Sequence, residues 1–284
     1  MLSNAERARI LVEALPYIKE YTGSIAVIKY GGNAMTDAEI KKAVMHDIVL
    51  LNLIGVKVVL IHGGGPEING LLKKIGKKSE FVDGLRVTDD ETMDAVQMAL
   101  AGKVNKDLVN LIHLAGGKAV GISGVDGHLL EAEPVDEVHG HVGNITAVNI
   151  APVEDLINLG YIPVISTIAC DANGNLYNVN ADTAAASIAG ALKAKSLIAM
   201  TDTAGLLRDK DDASTLISKV RISEVAELKN QGVIQGGMIP KVDSCVEAIE
   251  KGTNRVFIID GRIPHSILIE MLTSEGLGTM FTEG

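Results

Sequence analysis

Two lysines stand where an α/β chain most readily meets an anion. Lys29 closes the β-branched run at 24–30 (SIAVIKY) and is followed by Tyr30-Gly31-Gly32-Asn33, a cation beside a glycine turn at a strand's carboxyl end. Lys241 repeats the device: the glycine pair Gly236-Gly237, then Met238-Ile239-Pro240-Lys241 opening a helix. Between them, His62-Gly63-Gly64-Gly65-Pro66 joins the run VKVVLI to a helical stretch. Glycines there let the backbone approach a ligand, and free amides at a helix start favour negative charge. Arg86, in Gly84-Leu85-Arg86-Val87-Thr88, carries a fork that matches a carboxylate. Asn178-Val179-Asn180-Ala181-Asp182 runs from a strand end into a helix. Asn178 and Asn180 share a face if extended, and Asp182 can cap the helix or orient a lysine. Together these groups suit the holding of anions. Singly, each is equally well a tight turn, a surface lysine, a hairpin arginine or a helix cap.

Several other chemistries are excluded. No GK[ST] and no G-x-G-x-x-G is present, so neither a P-loop nor a dinucleotide fingerprint accounts for the glycines. His139-Gly-His141 lacks a carboxylate at metal-binding spacing, HExxH is absent, and no metal ligands are assigned. Asp209-Lys210-Asp211-Asp212 reads as a solvated turn. Cys170 and Cys245 show no CxxC spacing and read as small core residues in a reducing compartment. With 26 basic and 36 acidic residues the net charge is −10, which argues against nucleic acid as a partner. An anionic ligand must therefore be met by a few placed cations. The apolar run at 48–56 is far too short to span a bilayer, and charges break up the N-terminus, so the expected location is the cytoplasm, away from membranes.

The positioning elements follow from periodicity. Runs at 24–30, 56–61, 118–122, 161–166, 195–200 and 255–259 read as buried strands, while 37–53, 66–74, 92–114, 152–159, 181–192 and 240–251 have helical period. This alternation predicts a three-layer α/β/α sandwich with a mostly parallel central sheet. Residues 131–149 read as a β-hairpin excursion. Ahead of the first strand lies an amphipathic helix, opened by the capping box Ser3-x-x-Glu6 and kinked at Pro16, with Leu11, Leu15 and Ile18 on one face.

Set in order, IKYGGNAM, HGGGP, GLRVT, NVNADTAA, TDTAGLL and GGMIPK resemble the motifs of the amino acid kinase family from about residue 25 to the end of the chain. Within that family the chain is most similar to the acetylglutamate kinases. PYIKE near the start and HSILIEMLTSEGLGTM near the end resemble their arginine-inhibited branch. The resemblance implies transfer of the ATP γ-phosphoryl group to the γ-carboxylate of N-acetyl-L-glutamate in arginine biosynthesis. Lys29 and Lys241 would stabilise the transferring group, and Asp182 would hold both lysines. Gly31, Gly32, Gly63, Gly64 and Gly65 would line the phosphate and acyl region, Arg86 would take the α-carboxylate, and Asn178 and Asn180 the rest of the acceptor. Asp202, Thr203, Ala204, Gly205, Leu206, Leu207, Val233, Ile234, Gln235 and Met238 match stretches that surround adenine and ribose. Magnesium would arrive as the nucleotide's counterion, with no tightly bound cofactor.

The implied organisation is an oligomerisation helix at 1–20, an acetylglutamate lobe at 21–178 and an ATP lobe at 179–284. In the arginine-inhibited branch the N-terminal helix interlaces dimers into a hexamer (a trimer of dimers). Tyr17, Lys19, Lys195, His265, Glu270, Thr273, Glu275 and Gly278 would then form the arginine site. A PII-type signalling protein is a candidate partner that the residues neither require nor exclude. Rival readings are another amino acid kinase acting on glutamate, carbamate or aspartate, an acetylglutamate synthase, for which the chain ends too early, and a catalytically inactive arginine sensor.

Overall fold

Along the first strand, Ile25–Tyr30, alternate residues part to opposite faces: Ala26, Ile28 and Tyr30 pack into one apolar cluster and Val27 into another. The same period of two sends Lys29 to the Val27 side. The computed structural model describes residues 3–35 and 37–284, so residues 1 and 2 of the expected oligomerisation helix lie outside the described residues. Its central sheet has eight strands, in the order Lys219–Arg221, Thr279–Thr282, Arg255–Asp260, Ser196–Thr201, Ile25–Tyr30, Lys57–His62, Ile162–Ser166 and Ala119–Ser123. The last six are mutually parallel; Thr279–Thr282 runs antiparallel to Arg255–Asp260 and carries Lys219–Arg221 with it.

Helices cover both faces, which gives the expected sandwich. Ala151–Asn158, Ala181–Ala191 and Met238–Glu250 bury Val153, Ala185, Ile188 and Val242 against the Val27 side. Ala38–Leu53, Asn105–Leu114 and Ser266–Leu272 cover the other face through Val44, Ile48, Leu108 and Ile267. The expected helix at 92–114 is a continuous coil whose middle turn, Met98–Val104, widens to π-helix between Asp90–Gln97 and Asn105–Leu114. The expected hairpin is the pair Leu130–Pro134 and Gly143–Val148, joined by Ile168–Cys170 and Leu176–Asn178 into a second, four-stranded sheet. A two-stranded hairpin, Phe81–Val82 with Leu85–Arg86, stands by itself.

The capping box forms as read, with Ser3 Oγ accepting from the Glu6 amide and Glu6 accepting from the Ser3 amide. The N-terminal helix breaks at Ala14 into Asn4–Glu13 and Leu15–Tyr21, with Pro16 in the first turn of the second piece. Asn4–Glu13 buries nothing, and Leu11 is 72% exposed, whereas Ile18 packs on the core. Among the described residues, no helix is long and apolar enough to cross a membrane.

Candidate active site

Lys29 lies one residue from the carboxyl end of its strand, on the face covered by Ala181–Ala191. Its Nζ stands 2.8 Å from Asp182 Oδ1, in the first turn of that helix. The Met238–Glu250 helix packs alongside and brings Lys241 Nζ to 4.0 Å from Asp182 Oδ2. One carboxylate thus faces two cations, and only 8% of the Lys29 side chain and 20% of that of Asp182 are exposed. Burial pushes the Asp182 pKa up, but Lys29 and Lys241 outweigh it, and the carboxyl is held below its ordinary range. The cap that Asp182 might have supplied falls to Asn180, whose Oδ1 accepts from the Asp182 and Thr183 amides. Asp182 is left for the lysines.

In front of this ion triad opens a cavity of about 240 Å³, lined by Lys29, Gly31, Gly32, Gly63, Gly64, Gly65, Arg86, Asn178, Asn180 and Asp182. Every residue expected at the acceptor site is there. A smaller recess shares Lys29 and Asp182 and adds Lys241, Thr201 and Cys245, whose thiol burial pushes its pKa upward. Gly64 has no room for a side chain, since a Cβ would stand 2.5 Å from Leu100 Cδ2 on the π-helical turn. A larger open depression of about 680 Å³, lined by Asn254, Arg255 and Thr282, lies at the amino end of the strand Arg255–Asp260 and takes in none of these groups.

Arg86 is 7% exposed, and burial lowers its pKa. Its Nη1 donates to Ser79 Oγ at 2.8 Å, and its guanidinium lies 4.7 Å over the Phe81 ring. No carboxylate among the described residues pairs with it. A buried cation of this kind calls for an anion from outside.

Two supporting groups carry no local signal in the chain. His62 is fully buried, with its pKa driven down to about 4 chiefly by that burial. Asn105 Nδ2 donates to His62 Nε2 and to the Val164 carbonyl, so Nδ1 holds the proton and donates to the Gly63 carbonyl at 2.8 Å. A neutral imidazole thereby ties the glycine loop to the sheet. Thr88 is fully buried, accepting from Asn178 Nδ2 and donating to the Arg86 carbonyl, which links the two sides of the cavity.

The amino acid kinase family model matches residues 24–260. The chain belongs to the amino acid kinase family. It is a kinase, a phosphotransferase. Among similar proteins, acetylglutamate kinase from Brachyspira hyodysenteriae is 54% identical over 99% of this chain and 98% of its own length. Acetylglutamate kinase from Clostridium beijerinckii is 51% identical over 99% of each. Among solved structures, N-acetylglutamate synthase from Neisseria gonorrhoeae, complexed with coenzyme A and N-acetyl-glutamate, superposes with a TM-score of 0.84 at 26% identity. The match covers 98% of this chain but only 63% of that one. Carbamate kinase from Giardia lamblia bound to AMP-PNP shares the fold alone, with a TM-score of 0.70, 17% identity, and coverage of 93% of this chain and 100% of that one.

In this amino acid kinase, the residues expected around the nucleotide fall in two segments. Asp202, Thr203, Ala204, Gly205, Leu206 and Leu207 follow the strand that ends at Thr201; the Leu206 amide donates to Thr279 Oγ1, and Leu207 bridges to Leu216. Val233, Ile234, Gln235 and Met238 lead into the helix that carries Lys241, with Ile234 buried and Gln235 exposed. The residues expected at the arginine site are less gathered. Lys195 donates to the Glu20 carbonyl and lies over the Tyr21 ring, at the end of the N-terminal helix; Tyr17 is half-buried and Lys19 exposed. Glu270 Oε2 is taken by the Leu277 and Gly278 amides, and Thr273 Oγ1 donates to the Ile269 carbonyl. Glu275 is exposed, and His265 pairs with the buried Asp47 at 2.6 Å. Among the described residues, no group of three or more His, Cys, Asp or Glu side chains could hold a metal ion.

Proposed function

We propose that this kinase phosphorylates the γ-carboxylate of N-acetyl-L-glutamate with ATP, in arginine biosynthesis. The observation that carries the reading is the unpaired, buried Arg86 in the same cavity as Lys29 and Asp182. An acceptor with two carboxylates fits that arrangement: one on Arg86, the other directed at the lysines. The identity to acetylglutamate kinases over nearly the full chain supports the same substrate.

The attacking carboxylate is already ionised at neutral pH, so no general base is required, in contrast to a kinase acting on a hydroxyl. What the chain must supply is alignment of two mutually repelling anions and neutral surroundings for the transferring phosphoryl group. Lys29 and Lys241, spread on either side of Asp182, provide two positive charges at fixed separation, and Asp182 keeps them apart and oriented. The Gly31–Gly32 and Gly64–Gly65 amides present donors without side chains in the way, while the Gly63 amide is taken by the Tyr30 carbonyl. The acetamido group and backbone of the acceptor fall to the Asn178 and Asn180 amides, Asn180 Nδ2 remaining open because only its Oδ1 caps the helix. Residues 21–178 serve chiefly the acceptor and 179–284 chiefly the nucleotide, Asn180 reaching across to the acceptor, with magnesium carried on the phosphates as part of that substrate.

The same reading extends to feedback inhibition by L-arginine in a hexamer. The exposed Leu11, Val12 and Leu15 offer an apolar face for a second copy of the helix, Lys195 is held at the end of that helix, and Glu275 is exposed. A coupled ADP-release assay with acetylglutamate, glutamate, aspartate and carbamate tests the substrate. Turnover preferring acetylglutamate is expected, and equal or better turnover of another acceptor would overturn the assignment.

A further inference from the structure

We propose that His139 is a positioning residue for the acceptor: as an imidazolium it pins the 81–86 hairpin, and with it Arg86, over the cavity. The inference rests on the reading that Arg86 takes the acceptor's α-carboxylate. The hairpin's ladder pairs two residues on each side, with one more backbone bond from the Val87 amide to the Glu80 carbonyl, across a turn in which Asp83 and Gly84 both have positive φ. A pair that short does not hold its own position in water. Its height above the cavity must be set from outside.

Besides the Asn178 bond to Thr88 Oγ1, two ties come from the 136–142 loop. At the base of the hairpin, the Thr88 amide donates to the His139 carbonyl at 3.0 Å and the His141 amide donates to the Thr88 carbonyl at 2.6 Å. Between them Gly140 takes a left-handed φ of 62°, and a Cβ there would stand 2.5 Å from the Thr88 oxygen, so only glycine lets the strands approach. Near the turn, the His139 ring reaches Val82 directly: Nε2 lies 3.2 Å from the Val82 carbonyl oxygen. Its Nδ1 lies 2.8 and 2.9 Å from the two Asp136 oxygens, and the side chain is 7% exposed.

The protonation state follows from the partners. A carbonyl and a carboxylate only accept, so both ring nitrogens must donate, and that requires the charged form. Asp136 from its own loop and Asp83 from the hairpin are the acidic groups that face it. The hydrogen bonds to Asp136 and Val82 hold its pKa above the ordinary histidine value. As pH rises through that value, one donor is lost, and a lone pair then faces either the Val82 oxygen or the Asp136 carboxylate. The hairpin is released, and Arg86 and Phe81 move with it.

The test uses the intact enzyme. With ¹⁵N-histidine labelling, the His139 ring should show both nitrogens protonated at neutral pH. His139→Gln should raise the KM for acetylglutamate roughly ten-fold while kcat and the KM for ATP change by no more than about three-fold. In the wild type the acetylglutamate KM should climb as pH is raised from 6 to about 9, and His139→Gln should abolish that climb. Asp136→Asn, which keeps the ring and the backbone ties, should move the climb to lower pH. A neutral His139 ring at pH 7, or a KM climb that persists in His139→Gln, would overturn the proposal. No turnover of acetylglutamate by the wild type would instead overturn the substrate reading, and the ring-nitrogen spectrum would still decide the state of His139.

Discussion

Charge at single residues separates the two jobs in the cavity. In the proposed reaction Lys29 and Lys241 act where charge develops, so Lys29→Ala or Lys241→Ala should lower kcat by about 10²–10³-fold with a lesser effect on KM. Arg86→Ala should do the reverse, raising the acetylglutamate KM far more than it lowers kcat, because its carboxylate is remote from the reacting bond. Steady-state kinetics on both substrates distinguish the patterns, and an Arg86→Ala enzyme with normal KM would contradict the role given to it. The residues bearing these charges were legible in the chain because each follows a strand or opens a helix next to glycine. The roles of His62, Thr88, Asn105 and His139 were not, since each depends on at least one partner far away in sequence: His62 on Asn105, Thr88 on Asn178, Asn105 on Val164 and His139 on Val82. Of the two roles left open for Asp182, the cap is taken by Asn180, and Asp182 faces the lysines.

Strands and helices were readable wherever an apolar run was long and bounded by glycine or proline, as for 24–30 and 181–192. Shorter pieces such as Lys219–Arg221, Ile168–Cys170 and Thr279–Thr282 escape, since three or four residues give too few repeats for periodicity to register. One inter-element contact has a measurable consequence. Asp47, on Ala38–Leu53, is fully buried and pairs with His265, the residue that opens Ser266–Leu272. Burial lifts its pKa from 3.8 to about 6, with His265 only partly offsetting it. Between those values the folded state holds a proton that the unfolded state has released, so this group's contribution to stability falls as pH rises. Asp47→Asn should remove that fall, gaining on the wild type by on the order of 2 kcal/mol between pH 4 and 7 in urea unfolding. A constant difference across that range would contradict it.

At the scale of the whole molecule, one continuous sheet would join the proposed acceptor and nucleotide halves, and a chain of net charge −10 places Lys29 and Lys241 beside Asp182 at the carboxyl end of the first strand. The apolar face of Asn4–Glu13 is left uncovered within the single chain. Removing residues 1–20 should convert a hexamer to an active dimer in sedimentation, and should weaken arginine inhibition along with Glu275→Ala; a truncated hexamer would contradict the helix's role. The most direct test of the central claim is to trap the product with hydroxylamine. Wild-type enzyme given ATP and acetylglutamate should yield the γ-hydroxamate, and Lys241→Ala should form it about 10²–10³-fold more slowly. Hydroxamate absent from the wild type, or formed at an undiminished rate by Lys241→Ala, would contradict it.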